Sequence, residues 1–342
     1  MKLFLLAVGD RTRASSRLRV WDHINWLTQQ GHQVRACYVM PPGVHQLTAA
    51  VAWRILRQWP IWVWHLLWAD RIVVQEALLL APALWLKRLG KRRRCVFDFS
   101  DPVDTIGAGW RNRLQKLGFA WTTGAADHVI VENSAYVPEL RKRGLAVSHY
   151  YGPVDVDRYQ ASAAVLPAAA PDQPLRVGWT GSPGTLAFIT PLFAALDAAA
   201  SLRPVELMLI GVTSLEHDFK HLSVTLVPWT EAKEFELVPT FDLGLFALDG
   251  SARSGRRGAG KLFVYMAAGV PFVATRFGIA DDVMREFGVG YGVDSPDQWQ
   301  QVLVRAISDD QGRQRMRREG ASHANLRLSY GAYRRGLAAV LA

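Results

Sequence analysis

The stretch "GRRGAGKLFVYMAAGVPFVAT", residues 255–275, decides how this 342-residue chain is read. Three glycines and three cations run into a short apolar helix that is expected to stop at Gly269, and a strand follows with Pro271 near its start. Glycines ahead of a helix let backbone N–H groups approach an anion, and the helix dipole favours negative charge there. Lys261 and Tyr265 stand at i and i+4 on one face, with Val264 adjacent to both, while Leu262, Phe263 and Met266 are expected in the core. Leu262 occupies the place where an ATPase P-loop needs Ser or Thr, so that motif is excluded. What remains is a diphosphate site made of backbone amides and a lysine, or a solvated basic loop.

Outward from this junction, strand-like runs alternate with helical ones. "LRVGWTG", "VELMLIG", "VTLVPW", "DLGLFAL", "VPFVAT" and "GYGV" read as strands in the C-terminal half. "LFLLAV", "HQVRACYV", "RIVVQ", "RCVFDF" and "AADHVIVEN" do so in the N-terminal half, with helices between, one of them running from about Arg17 to Gln30. Such alternation predicts parallel sheets with helices on both faces. The charge-poor, proline-rich "QASAAVLPAAAPDQP" reads as a linker. The expected organisation is therefore a first α/β domain over 1–160, a linker over 161–174, a second α/β domain over 175–325 and a C-terminal helix over 326–342 that can return to the first domain. Open sheets of this kind bind ligands at the C-terminal ends of their strands, so the two domains are expected to face a cleft.

Two further loops carry candidate chemistry. "VGWTGSPGT" puts Gly181, Ser182 and Gly184 where a strand turns into a helix, which makes either an anion cradle or a plain tight turn. "FDFSDPVDT" puts Asp98, Asp101 and Asp104 at a strand's C-terminal end. A carboxylate there can orient or deprotonate an acceptor hydroxyl, or cap the next element. Glu76 in "VVQEA" is expected to look the same way, and Arg17 and Arg19 in "RASSRLR" either clamp an anionic group or are solvated. No His/Cys cluster has metal-ligand spacing, no G-x-S-x-G elbow occurs, and the first βα turn, "VGDRTRAS", lacks the dinucleotide fingerprint. Cys37 and Cys95 read as reduced packing residues, and the opening "MKLFLLAVGD" as a buried strand rather than a secretory signal.

The net charge of +10 is concentrated in one half: residues 1–150 hold 21 Lys/Arg and 10 Asp/Glu, and ten of the thirteen tryptophans precede residue 122. An anionic membrane, a nucleic acid or a phosphorylated substrate could each answer that charge. The stretch from Trp53 to Trp68 carries five tryptophans, with Arg54 and Arg57 among them. Its apolar run is too short to span a bilayer. It reads either as an in-plane interfacial helix, helped by Lys91–Arg94, or as a core helix. With no recognisable nucleic-acid module, no nucleic-acid partner is expected.

The run "GKLFVYMAAGVPFVAT" resembles the donor-site helix of retaining glycosyltransferases of the GT-B fold, which typically reads Lys-Leu-x-Glu-Tyr-Met-Ala-x-Gly-x-Pro before a strand. "ASSRLRVWDHINWLTQQGH", "VFDFSDPVD", "ADHVIVENSAYVPELRKRG", "YGPVDVDRY" and "GWTGSPGT" are similar to family blocks in the same order. The resemblance implies two Rossmann-like domains and a transfer from a nucleotide-diphosphate sugar to a cell-surface glycan or lipid-linked acceptor, with retention and without metal or cofactor. Together with the basic, Trp-rich N-terminal half, the expected protein is cytoplasmic, either free or peripheral at the inner face of the plasma membrane. Carried over by position, Gly181, Ser182 and Lys261 meet the diphosphate, Trp229 borders the base, and Arg256, Arg257, Gly258 and Gly260 meet the sugar, with Tyr265 beside them. Lys261, Arg256 and Asp101 are the expected catalytic residues, and Arg17, Arg19, Glu76 and Asp98 the expected acceptor contacts. The departures are specific. Arg256 and Val264 stand where the family commonly carries two glutamates, "SPGTLAFITPLF" has no cation, and the usual catalytic histidine has no match. These departures motivate the alternative of a catalytically degenerate partner protein on the same fold.

Overall fold

The computed structural model describes residues 1–44, 48–89, 93–104, 109–166 and 173–342. The chain divides into two compact units. One comprises Met1–Tyr151, Arg256–Gly258 and Tyr333–Ala342, and the other Gly152–Gly255 and Ala259–Ala332. Each is built on a six-stranded sheet in which every pairing is parallel.

In the first unit β1 (Lys2–Ala7), β2 (Gln33–Tyr38), β3 (Arg71–Gln75), β4 (Arg94–Phe99), β5 (His128–Val131) and β6 (Val147–His149) lie in the order β2-β1-β3-β4-β5-β6. The inner strands are near-continuous apolar runs because a parallel strand is covered on both faces. Successive side chains point to opposite faces. Phe4, Leu6, Ile72, Val74, Phe97 and Phe99 therefore join one core, while Leu3, Leu5, Val73, Val96 and Ile130 join another. The helices Ala49–Trp68 and Trp110–Ala125 cover the first core, and Val20, Leu27 and the C-terminal Tyr333, Leu337 and Leu341 close the second.

A buried histidine lies beneath that C-terminal segment. His23 donates its Nε2 proton to the Leu18 carbonyl oxygen at 2.7 Å, and its Nδ1 accepts from Arg334 Nε at 3.3 Å, an arrangement that requires the neutral ring. Burial, and then the Arg334 charge, lower its pKa to about 3. The unfolded chain therefore takes up a proton near pH 6.5 that the folded chain refuses until about pH 3. Stability is lost as pH falls below 6.5, by about 2 kcal/mol between pH 6.5 and 5, and the loss levels off below pH 3. Urea unfolding across that range should show the slope, and His23→Gln should flatten it.

The second unit holds β7 (Leu175–Thr180), β8 (Val205–Ile210), β9 (Leu222–Val227), β10 (Leu243–Phe246), β11 (Phe272–Thr275) and β12 (Tyr291–Val293), ordered β12-β11-β10-β7-β8-β9. The order reverses between β7 and β10, and that reversal is where open sheets of this class take ligands. In the first sheet the reversal falls between β1 and β3.

Several expectations need correction. β6 was not expected; three half-buried residues at a sheet edge carry too little pattern to read. The helix expected from Arg17 to Gln30 is broken into Ala14–Arg19, a turn at Trp21–His23, and Ile24–Gln29. The boundary expected at 160 falls after Tyr151 instead. Residues 161–164, expected to open the linker, instead end the helix Val156–Ala164, capped by Asp155, with Val156 and Tyr159 buried in the second unit and the Tyr159 ring 4.3 Å from that of Phe235. An apolar stripe of two residues was enough to fold this segment down; the rest of the expected linker, 167–172, lies outside the described residues. Cys37 and Cys95 are free thiols. Among the described residues no helix is long and apolar enough to cross a membrane.

Candidate functional site

Both glycine loops singled out in the sequence leave the two strands that flank the reversal in the second sheet. After β7 the chain turns at Gly181 and Ser182 into the short helix Pro183–Leu186; after β10 it runs through 247–259 into the helix Gly260–Ala267. That helix ends as expected. Gly269 takes φ +66°, its N–H bonds the Met266 carbonyl at 3.1 Å, and Val270 N–H bonds Tyr265 O at 2.8 Å, the pattern of a glycine C-cap.

The cradle between these loops is built on missing side chains. A Cβ on Gly181 would lie 2.5 Å from the Trp179 ring and 2.8 Å from Lys261 Cε. Gly211, at the end of β8, has φ +98°, and a Cβ there would fall 1.8 Å from the Gly181 carbonyl oxygen. Glycine alone fits both places. The Lys261 ammonium sits 5.4 Å from the centre of the Trp179 ring, in the first turn of its helix, where the amides point outward and the dipole is positive. One cation, a helix N-terminus and two glycine turns thus converge at the end of β7. The sequence reading noticed that β8 ends in glycine but not that Gly211 belongs to this cradle. The φ value that reveals it arises only in the fold.

A carboxylate the sequence reading missed stands beside the cradle. Glu234, buried in the helix Glu231–Leu237, accepts from Thr180 Oγ1 at 3.2 Å and from the Trp229 indole N–H at 3.1 Å, and so ties Trp229 to the end of β7. Val264 is 8 % exposed and apolar, so the helix that carries Lys261 offers no carboxylate at that position. Tyr265 requires correction. It is fully buried, its hydroxyl donates to Leu245 O at 3.2 Å, and its ring fills the space that Gly244 leaves open. The i, i+4 relation to Lys261 is real, but the helix turns Tyr265 into the core.

In the first unit, Glu76 follows β3 at the reversal with φ +55°, an uncommon conformation for a residue with a side chain. Its carboxylate accepts from Ser100 N–H at 3.0 Å, Ser100 Oγ at 2.7 Å and Asp101 N–H at 3.3 Å, with Ser15 Oγ at 3.3 Å on the other oxygen. Glu76 therefore holds the turn that carries Asp101, in place of the direct acceptor contact expected of it. Asp101 itself is exposed at the end of β4. Arg17 is buried, which removes the solvated alternative for it.

Arg19 and Asp98 also require correction. Arg19 Nη1 bonds Asp98 Oδ1 at 2.5 Å and Nη2 bonds Glu132 Oε2 at 2.6 Å; the Tyr333 hydroxyl donates to the other Asp98 oxygen at 2.7 Å. All four are buried. Burial opposes the charge on Arg19, but the two carboxylates outweigh it and hold its pKa above the ordinary value. For Asp98 burial prevails and pushes the carboxyl up. This cluster braces the unit and presents nothing to an acceptor.

The loop 256–260, expected whole at the donor site, is divided. Arg256–Gly258 count with the first unit. Arg256 bonds Asp104 at 2.7 Å and Glu139 at 2.5 Å and lies over the Tyr136 ring, and these carboxylates hold its pKa up against burial. The Arg257 carbonyl accepts from Asn133 Nδ2 at 2.9 Å, and a Cβ on Gly258 would strike Glu132 Oε1 at 2.4 Å. The Arg256 charge, expected at the sugar as a catalytic group, is instead answered by these two carboxylates. Ala259 and Gly260 of this loop join Lys261 in the second unit. Among the described residues no cluster of three or more His, Cys, Asp or Glu is arranged to hold a metal ion.

Solved structures of the same build cover nearly the whole chain. Sucrose-phosphate synthase from Thermosynechococcus elongatus matches 99% of it, and 100% of its own chain, at 13% identity and a TM-score of 0.71. HepE from Anabaena, in complex with UDP, matches 99% of each chain at 17% identity and 0.62. WaaG, a glycosyltransferase involved in lipopolysaccharide biosynthesis, matches 99% of each at 15% and 0.62. The chain has the GT-B fold. No protein-family model matches it, and no curated protein matches it by sequence. In a GT-B protein the expected double Rossmann-like architecture and the parallel sheets agree with what is observed here. At these identities the likeness shows the fold alone.

Proposed function

We propose that this protein is a glycosyltransferase that takes a sugar from a nucleoside-diphosphate donor held on the second unit and passes it, with retention, to a cell-surface glycan or lipid-linked acceptor. The observation that carries the reading is the cradle of Gly181, Gly211 and Lys261 at the reversal of the second sheet. The diphosphate of a nucleotide sugar is a pair of linked tetrahedral phosphates, each with one negative charge, and bare backbone with one lysine suits it. Lys261 and the helix N-terminus stabilise the charge that develops on the departing diphosphate. Trp229, steadied by Glu234, offers an aromatic face to the base. Asp101 orients the acceptor hydroxyl from the end of β4. That one fold neighbour is solved with UDP makes uracil the first base to try.

Thermal unfolding against UDP, GDP, dTDP, ADP and their sugar conjugates tests this directly. A ligand at 100 times its dissociation constant adds about 2.7 kcal/mol, roughly 5–10 °C for a unit of this size. A shift with one base class is the expected result. The second reading, a degenerate GT-B partner protein, is favoured by Val264 and by the commitment of Arg256 to Asp104 and Glu139. It requires that a cooperatively melting protein show no shift with any nucleotide.

A further inference from the structure

The outer surface of the first unit, on the side of the Phe97–Phe99 core, carries an apolar stripe that stays exposed among the described residues. On the helix Ala49–Trp68 the residues Val51, Ile55, Trp62 and Leu66 face the sheet. Trp53, Leu56, Ile61 and Trp64 recur at helical spacing on the opposite side, with Trp53 62 % and Trp64 57 % exposed. Two more segments lie alongside. The Trp59 indole bonds Leu79 O at 3.4 Å. Beyond it, a Cβ on Gly118 of the helix Trp110–Ala125 would come 3.2 Å from Leu78 Cβ, and one on Gly124 would come 3.7 Å from the Trp85 ring. Trp85, Leu117 and Trp121 on these neighbours are exposed as well. Isolated apolar side chains on a surface are ordinary; a contiguous band of tryptophan and leucine is not.

The charge around this band identifies what it meets. Across residues 49–69, 77–89 and 109–125 the sequence holds seven Lys/Arg and no Asp or Glu, and of these only Lys87 is buried, on Asp127, among the residues whose burial is described. Arg57, Arg88, Arg113 and Lys116 are exposed among the apolar residues. Arg35 stacks its guanidinium on Trp64 at 4.4 Å and on Trp68 at 4.1 Å, which lays the indoles along the surface. A second copy of this chain would bring two cationic faces together, a repulsion that apolar burial would first have to overcome. An anionic surface with an apolar interior has no such conflict. Amphipathic indoles settle at the level of lipid headgroups, and each nearby cation adds attraction to acidic lipids.

We infer that this face of the first unit docks in the plane of an anionic lipid bilayer, with the Trp53–Trp64 stripe at the headgroup boundary. The inference is independent of the donor-site reading, since the test reads binding alone.

Co-sedimentation with vesicles of phosphatidylcholine, with and without phosphatidylglycerol, tests it. The protein should pellet with the anionic vesicles at low salt, much less with neutral ones, and release as salt rises. Arg57→Gln should weaken binding about fivefold, from roughly 1 kcal/mol per cation near the surface. Trp53→Ser with Trp64→Ser should weaken it by at least about tenfold, with the melting temperature unchanged, since both indoles face outward. Leu56→Glu on the same stripe serves if the double variant folds poorly. Failure to bind anionic vesicles at low salt overturns the inference, as does full binding by the stripe variants. A dimer in sedimentation equilibrium that the same substitutions dissolve also overturns it, because the face would then be a self-interface.

Discussion

Arg19→Met lowers the stability of the first unit by about 3–5 kcal/mol, the expected loss when one partner of a buried ion cluster is removed. Asp98, in β4, and Glu132, directly after β5, each lose the charged hydrogen bond to Arg19 and remain buried. The Tyr333 hydroxyl still serves one Asp98 oxygen, so at Asp98 the shortfall falls on the oxygen that faced the guanidinium. Tryptophan fluorescence during urea unfolding reports the change, because ten of the thirteen tryptophans precede residue 122. A companion variant separates charge from packing. Asp98→Asn keeps the shape and one carboxylate for Arg19, and should cost clearly less than Arg19→Met. Equal losses in both would mean that packing, and not the ion cluster, holds this part of the unit.

The second large effect concerns activity. Lys261→Ala should reduce sugar transfer by about 10²–10³-fold, the usual consequence of deleting one preorganised charge at a developing anion. The folded protein should survive, since Lys261 is half-buried at the rim of its unit while Leu262 and Phe263 beside it do the packing. An unliganded melt checks that point. Gly181→Ala should reproduce much of the loss with the lysine intact, because the added methyl occupies the place of the Trp179 ring edge and of Lys261 Cε. Loss in both variants assigns the effect to the cradle. Undiminished transfer in Lys261→Ala would remove the diphosphate site from the second unit. Measured with the nucleotide melts, the variant also separates the two readings of the fold: a degenerate partner has no nucleotide-dependent shift to lose.

How much was legible beforehand differs between the two units. All six strands of the second sheet stand in the sequence as apolar runs, β7 and β8 each closed by a glycine, and the Gly181 and Gly260–Lys261 turns are legible there too. These are local signals: a buried parallel strand must be apolar throughout, and a strand-to-helix turn that approaches a ligand needs glycine within a few residues. The Trp-rich helix was also legible as amphipathic, although only the structure separated Trp62, which is buried, from Trp53 and Trp64, which are not. The errors share another character. Arg19, Asp98, Arg256 and Tyr265 each stand in the sequence at the end of a strand, in the glycine loop or on the donor helix, where a ligand-facing residue is expected, and the fold turns each of them to a protein partner.

The sequence by itself determined the alternation of strands and helices, the two glycine turns and the concentration of cations and tryptophans in the first 150 residues. Each of these is written in spacing or composition over a few residues. Only the tertiary structure decided which way β7 and β10 flank the reversal, that Gly211 closes on Gly181, and which carboxylate each arginine meets. Arg19 finds Asp98 across 79 residues and Glu132 across 113, and Tyr333 reaches Asp98 across 235. Over such separations a charge pattern offers many pairings of similar strength. Desolvation in the assembled core selects among them, because a buried charge without its partner costs several kcal/mol.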